Sequence, residues 1–143
     1  MSLHTKRLKL AREKTGMTIQ EIARLTGLGT ARYCDLESFD EELTTNASLK
    51  RINDICKVLH ISPRALFTVE PSQAGASVTL EEIPGRIKEK LAKERTSIQE
   101  FEERVGYSIV ESLDNSTLIW DWNIECLQSV CKELQLDWVA VLP

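Results

Sequence analysis

One pattern is written into this chain twice. Residues 18–27 read TIQEIARLTG and residues 97–106 read SIQEFEERVG, 79 positions apart. At that offset Arg7, Lys9, Lys14, Ile19, Gln20, Glu21, Gly27 and Asp35 meet the same residue types at Arg86, Lys88, Lys93, Ile98, Gln99, Glu100, Gly106 and Asp114. The match resumes at an offset of 75, where Leu49, Ile52, Ile55, Cys56, Lys57, Leu59 and Ile61 are answered by Ile124, Leu127, Val130, Cys131, Lys132, Leu134 and Leu136. A repeat of this length implies two copies of one small module. It divides the chain into residues 1–67, a linker at 68–78 with the composition of a loop, and residues 79–143. Modules this small bury little apolar surface, so the two copies are expected to pack together.

No stretch alternates with the period of a strand, and the punctuation is helical throughout. Thr18-x-x-Glu21, Thr79-x-x-Glu82, Ser97-x-x-Glu100 and Ser108-x-x-Glu111 have the form of capping boxes, in which a hydroxyl and a carboxylate satisfy each other's free amides. Five helices are expected per copy. In the first they cover 5–15, 18–27, 30–37, 47–59 and a short segment opened by Ser62-Pro63. Thr44-Thr45-Asn46 supplies candidate caps for the fourth helix, and Asp121 or Asn123 does so in the second copy. Asp137 stands where Ser62 stood, as the cap of a fifth helix. The expected inward residues include Leu8, Ala11, Ile22, Leu25, Tyr33, Leu36 and the stripe Leu49, Ile52, Ile55, Cys56 and Leu59.

Charge separates the copies. Residues 1–67 hold 11 Lys/Arg against 8 Asp/Glu, and residues 68–143 hold 7 against 14, so +3 is joined to −7. Cys34, Cys56, Cys126 and Cys131 lack the spacing and His partners of a zinc site, and free thiols in a reducing cytoplasm are expected. No signal peptide, membrane span or cofactor motif is visible, and no catalytic arrangement emerges around His4 and His60, so neither an enzyme, a cofactor nor a metal is expected.

Residues 7–67 resemble the helix-turn-helix domain of the Cro and lambda-repressor type, the Xre family. The resemblance rests on Gly16-Met17-Thr18, Glu21-Ile22-Ala23, Leu25, Gly27-Leu28, Leu36-Glu37 and the tail from Leu49 to Leu66-Phe67. It implies a fold of tandem five-helix lambda-repressor-like modules, the second, at 79–143, diverged and acidic. It implies double-stranded DNA as a partner of residues 1–67, with the third helix in the major groove. By that resemblance the DNA-binding positions are Thr18, Gln20, Thr30, Ala31, Arg32 and Asp35, with Arg32 as a guanine reader. Lys6, Arg7, Lys9 and Arg12 are candidate phosphate or structural cations. The sequence departs from the family at Ile19, where a Gln is usual, and in the loop Asp40-Glu41-Glu42, whose acids oppose a phosphate backbone.

The second copy carries no cation in its third helix, SIVESLDN, so a different task is expected of it. Trp120, Trp122 and Trp138 form a candidate interface, either to the first copy or to a homodimer or protein partner. The leading expectation is a transcriptional regulator with copy one on DNA and copy two for packing or dimerisation. The rival is a protein-interaction adaptor, antitoxin-like, on a scaffold that no longer binds DNA.

Overall fold

Most helices of the first half begin where a side chain meets a specific backbone demand. In the computed structural model, which describes residues 2–68 and 78–143, α1 (Leu3–Thr15) starts under Ser2, whose Oγ accepts from the Thr5 amide at 3.2 Å. Thr18 Oγ1 accepts from the Glu21 amide at 3.1 Å to open α2 (Ile19–Thr26). Helix α3 (Thr30–Ser38) follows Gly29 with no side-chain cap. A π-helical turn (Glu42–Asn46) leads to α4 (Leu49–Val58), and Pro63 opens α5 (Pro63–Phe67). The second half runs through a 3-10 turn (Leu80–Glu82), α6 (Ile83–Glu94), α7 (Ile98–Val105), α8 (Val110–Asp114), a second 3-10 turn (Ser116–Asp121) and α9 (Ile124–Glu133). The fold is all-α, with no strand among the described residues. Residues 69–77 of the expected linker lie outside the described residues.

The helix ends recur at the offsets of the repeat. Gly27 and Gly106 close α2 and α7 at φ 73° and 81°. His60 and Gln135, 75 positions apart, both turn left-handed after α4 and α9, at φ 59° and 57°. Gly16 ends α1 at φ 73°, and its counterpart Arg95 ends α6 at φ 54°. A side chain in that region crowds its own carbonyl, so Arg95 carries a local cost that Gly16 does not.

Several expected details are corrected. The fourth helix is capped by Ser48, whose Oγ accepts from the Arg51 amide at 3.1 Å, because Thr44, Thr45 and Asn46 lie within the π-helical turn. Thr79 makes no side-chain cap; a 3-10 turn intervenes, and Pro84 sits in the first turn of α6. Ser108 does not cap α8 either. The Glu102 carboxylate reaches from α7 to accept from the Ile109 and Val110 amides at 2.5 and 3.2 Å, a charge-assisted bond stronger than a hydroxyl offers. The fifth helix of the second copy is absent: Asp137 accepts from the Val139 amide at 3.0 Å, and residues 138–141 form turns. Leu25 is 49% exposed, because Thr26 turns inward instead and satisfies its hydroxyl on the Ile22 carbonyl at 2.7 Å.

The two halves join where equivalent residues meet. Ser48 and Asn123, 75 positions apart, form an isolated antiparallel bridge, and the Leu49 amide donates to the Trp122 carbonyl at 2.7 Å. The Glu42–Asn46 turn lies against α9, and the Ser116–Asp121 turn lies against α4. A residue that pairs with its own repeat equivalent, flanked by reciprocal contacts, is the signature of a two-fold relation. Further along the seam Arg64 donates to the carbonyls of Ala140 and Leu142 at 2.8 and 3.1 Å, and its amide to that of Pro143 at 3.1 Å. Phe67 meets Trp138 with ring centroids 5.4 Å apart. The buried side chains of both halves form one continuous core.

Two measurements follow. Replacing Arg95 by Gly should raise stability by about 1 kcal/mol, the left-handed penalty removed, in chemical denaturation; an unchanged or lower midpoint would contradict the strain. Cys56, Cys126 and Cys131 are unbridged and buried, and burial pushes each thiol up to about 12. The half-buried Cys34 should therefore be the one thiol labelled quickly in the native protein at neutral pH, read by mass spectrometry.

Candidate nucleic-acid interface

Helix α3 is held by a buried ion pair. Arg12 of α1 donates from Nε to Glu37 Oε1 at 2.6 Å, and only 14% and 7% of the two side chains are exposed. Arg12 Nη1 also reaches the Met17 carbonyl at 3.3 Å, and Tyr33 donates to the same Glu37 oxygen at 3.4 Å. The bond from Glu37 raises the Arg12 pKa, while burial raises that of the Tyr33 phenol. This network clamps the inner face of α3 to α1 and fixes which residues turn outward. Arg12 is thus structural. So is Arg7, whose guanidinium binds the carbonyls of Ala65, Leu66 and Thr68 at the end of α5. Lys6 and Lys9 remain exposed on α1.

The outward face of α3 holds four of the candidate DNA positions, and α2 with its cap holds the other two. Gln20, Thr30, Ala31, Arg32 and Asp35 are exposed, as is Thr18, whose hydroxyl already caps α2. Because Gly29 offers no side-chain cap, the amides of Thr30, Ala31 and Arg32 bond to no described residue at the start of α3. Arg32 makes one long contact, from Nη2 to the Asn46 carbonyl at 3.5 Å. The acids of the following loop are divided. Asp40 accepts from Ser2 Oγ at 2.6 Å, Glu42 from Asn46 Nδ2 at 3.0 Å, and Glu41 stays exposed.

One residue absent from the sequence reading enters here. Arg51, in the first turn of α4, donates from Nη1 to the Thr26 carbonyl at 2.5 Å and so bridges α4 to the end of α2. With Arg32, Leu36, Glu42 and Asn46 it lines a pocket of about 250 Å³ between α3 and α4. Its only signal in the sequence is a cation beside the apolar stripe of α4, at a position answered by Cys126 in the second half.

The counterpart surface of the second half is unlike the first. Helix α8 has 5 residues, and Glu111 stands where Arg32 does. The tryptophans are dispersed. Trp122 is buried and donates from Nε1 to Ser112 Oγ at 3.0 Å, while its carbonyl lies on the seam. Trp138 is half-buried against Phe67 of the first half. Trp120 is half-buried and donates to Glu81 at 3.3 Å within its own half. Among the described residues no three His, Cys, Asp or Glu side chains gather as metal ligands would, and no helix is long and apolar enough to cross a membrane.

No protein family, curated protein or solved structure matches this chain.

Removing one partner of the buried pair leaves the other charge without compensation. Glu37→Ala should cost about 3 kcal/mol in chemical denaturation. A loss below about 1 kcal/mol, the range of exposed pairs, would show that Arg12 finds water when unpaired.

Proposed function

We propose that this chain is a regulator built from two helix-turn-helix modules, in which residues 1–67 bind double-stranded DNA through α3 and residues 79–143 act as a built-in pairing partner. The contrast between α3 and α8 carries the reading. In α3 the outward residues Thr30, Ala31, Arg32 and Asp35 are exposed and almost free of internal tasks, and the inner face is clamped by Arg12 and Glu37. A helix held rigidly from behind, with an arginine and small residues on its free face, suits insertion into a major groove. Its counterpart α8 is short and acidic, which suits a module that pairs and does not touch DNA.

An adaptor function is the second reading, favoured by the exposed acids Asp35 on α3 and Glu41 just after it. Salt separates the two. Binding to a duplex pool should weaken linearly in log salt as counterions are displaced. Arg32→Ala should cost about 1–3 kcal/mol and relax base preference, and Glu41→Gln should strengthen binding to all sequences alike. An affinity for duplexes that is absent at low salt, or unmoved by Arg32→Ala, removes the DNA reading and leaves the adaptor.

A further inference from the structure

The pocket between α3 and α4 is lined by two guanidinium groups and one carboxylate, so its lining carries a net positive charge. Arg32 and Arg51 both line it, and neither forms an ion pair with any described residue. The one carboxylate in the lining, Glu42, is engaged by Asn46 Nδ2 at 3.0 Å. Arg51 is pinned through Nη1 to the Thr26 carbonyl, so its remaining N–H groups are held in place without being used up. The pocket also includes Ser48, the residue that caps α4. Two cations facing one concave space attract an anion, and a guanidinium binds phosphate oxygens in a paired geometry. In the second half the equivalent positions are Glu111 and Cys126, so this arrangement belongs to the first half alone.

We propose that this pocket binds a small phosphorylated ligand, with its phosphate group between Arg32 and Arg51. A phosphate monoester presents three terminal oxygens to the two guanidiniums and a DNA backbone phosphodiester only two, so the free monoester is the better match. The volume of about 250 Å³ is below that of sites for drug-sized ligands and fits a phosphate with a small organic group. Since the second phosphate proton leaves at about pH 6, binding strengthens as pH rises through that value. A ligand seated there also holds Arg32, the residue assigned above to base reading. This second consequence rests on the DNA reading; the pocket itself does not.

Isothermal calorimetry and thermal melting of the full chain with inorganic phosphate and with a nucleoside monophosphate test the pocket, using sodium chloride at matched ionic strength as the blank. Saturable binding with a rise in Tm is expected, weakened about tenfold or more by Arg51→Gln, which removes a charged partner. Because Arg51 also bridges α4 to α2, Arg32→Gln serves as the second variant: Arg32 is exposed, and its loss should weaken phosphate binding in a protein that melts normally without ligand. Phosphate that binds no better than chloride, or binds both variants as well as the parent, overturns the proposal. A competition arm with duplex DNA reads the coupling: at constant ionic strength phosphate should weaken duplex binding in the parent and not in Arg51→Gln. If phosphate binds the parent and no duplex does, the pocket stands and the DNA reading falls. If duplex binding proves strong and phosphate shows no saturable effect, the pocket falls and the DNA reading stands.

Discussion

The bridge between Ser48 and Asn123 is the constraint on which the rest of the molecule depends. Both are N-caps, each accepting from an amide of its own helix, at 3.1 Å for Arg51 and 2.7 Å for Cys126. Residues that terminate a loop and begin a helix are held tightly, because an uncapped first turn leaves amides exposed. Joining the halves at two such points fixes the axes of α4 and α9 relative to each other with little further machinery. Asn123 then extends the join by donating from Nδ2 to the Thr45 carbonyl at 2.9 Å. A free helix N-terminus in each half is thereby converted into a shared corner, and the apolar stripes of α4 and α9 are enclosed in one core.

Divergence of the two copies is organised around volume as well as charge. At the offsets of the repeat, Tyr33 corresponds to Ser112 (33 + 79) and Ala47 to Trp122 (47 + 75), and all four are buried. The first half places its bulk on α3 and a small residue before α4. The second reverses this, with the small residue on α8 and the indole before α9, and the indole N–H meets the Ser112 hydroxyl at 3.0 Å. Cores tolerate such exchanges when total volume is kept. The exchange has a consequence for α3: Tyr33 reaches Glu37 and thus joins the pair with Arg12, a device that Ser112 cannot reproduce. Helix α8 is instead positioned at its start, by Glu102 on the Ile109 and Val110 amides. Glu102 is therefore the structural cap of α8.

What could be read from the sequence was local. Helix periods, the Thr18 and Ser97 caps, the glycine stops and the stripes of α4 and α9 depend on residues within a few positions of one another, and the chain writes them twice. What could not be read depends on partners far apart. Glu102 as the cap of α8, Arg51 beside Arg32, Arg7 on the end of α5 and Arg64 on the tail each require the tertiary fold to bring donor to acceptor. Leu25 and Ser108 fail for a related reason: position and residue type favoured them, and a competing group, Thr26 or Glu102, held the place. The candidate site was legible as a list of outward positions, and its pocket was not, because two cations separated by 19 residues become neighbours only when α4 folds back on α3 (51 − 32 = 19).

The seam itself is symmetric at one end and one-sided at the other. Ser48 pairs with its equivalent, as a two-fold relation demands. Arg64 does not: its counterpart is Val139 (64 + 75), whose side chain cannot donate, so the guanidinium that clamps the turns of the second half has no equivalent at that position. In a dimer of identical chains any such change appears at both ends of the interface, and an arginine that suits one side must suit the other. Two copies in one chain are free of that rule. One fifth element can remain a helix and donate, while the other gives up helical form and presents its carbonyls. The same freedom lets α3 keep its arginine while α8 carries glutamate at the matching place, with the pairing at Ser48 unchanged. Covalent linkage thus separates the requirement to pair, which both copies still meet, from any requirement that the two outer faces match, which α3 and α8 do not.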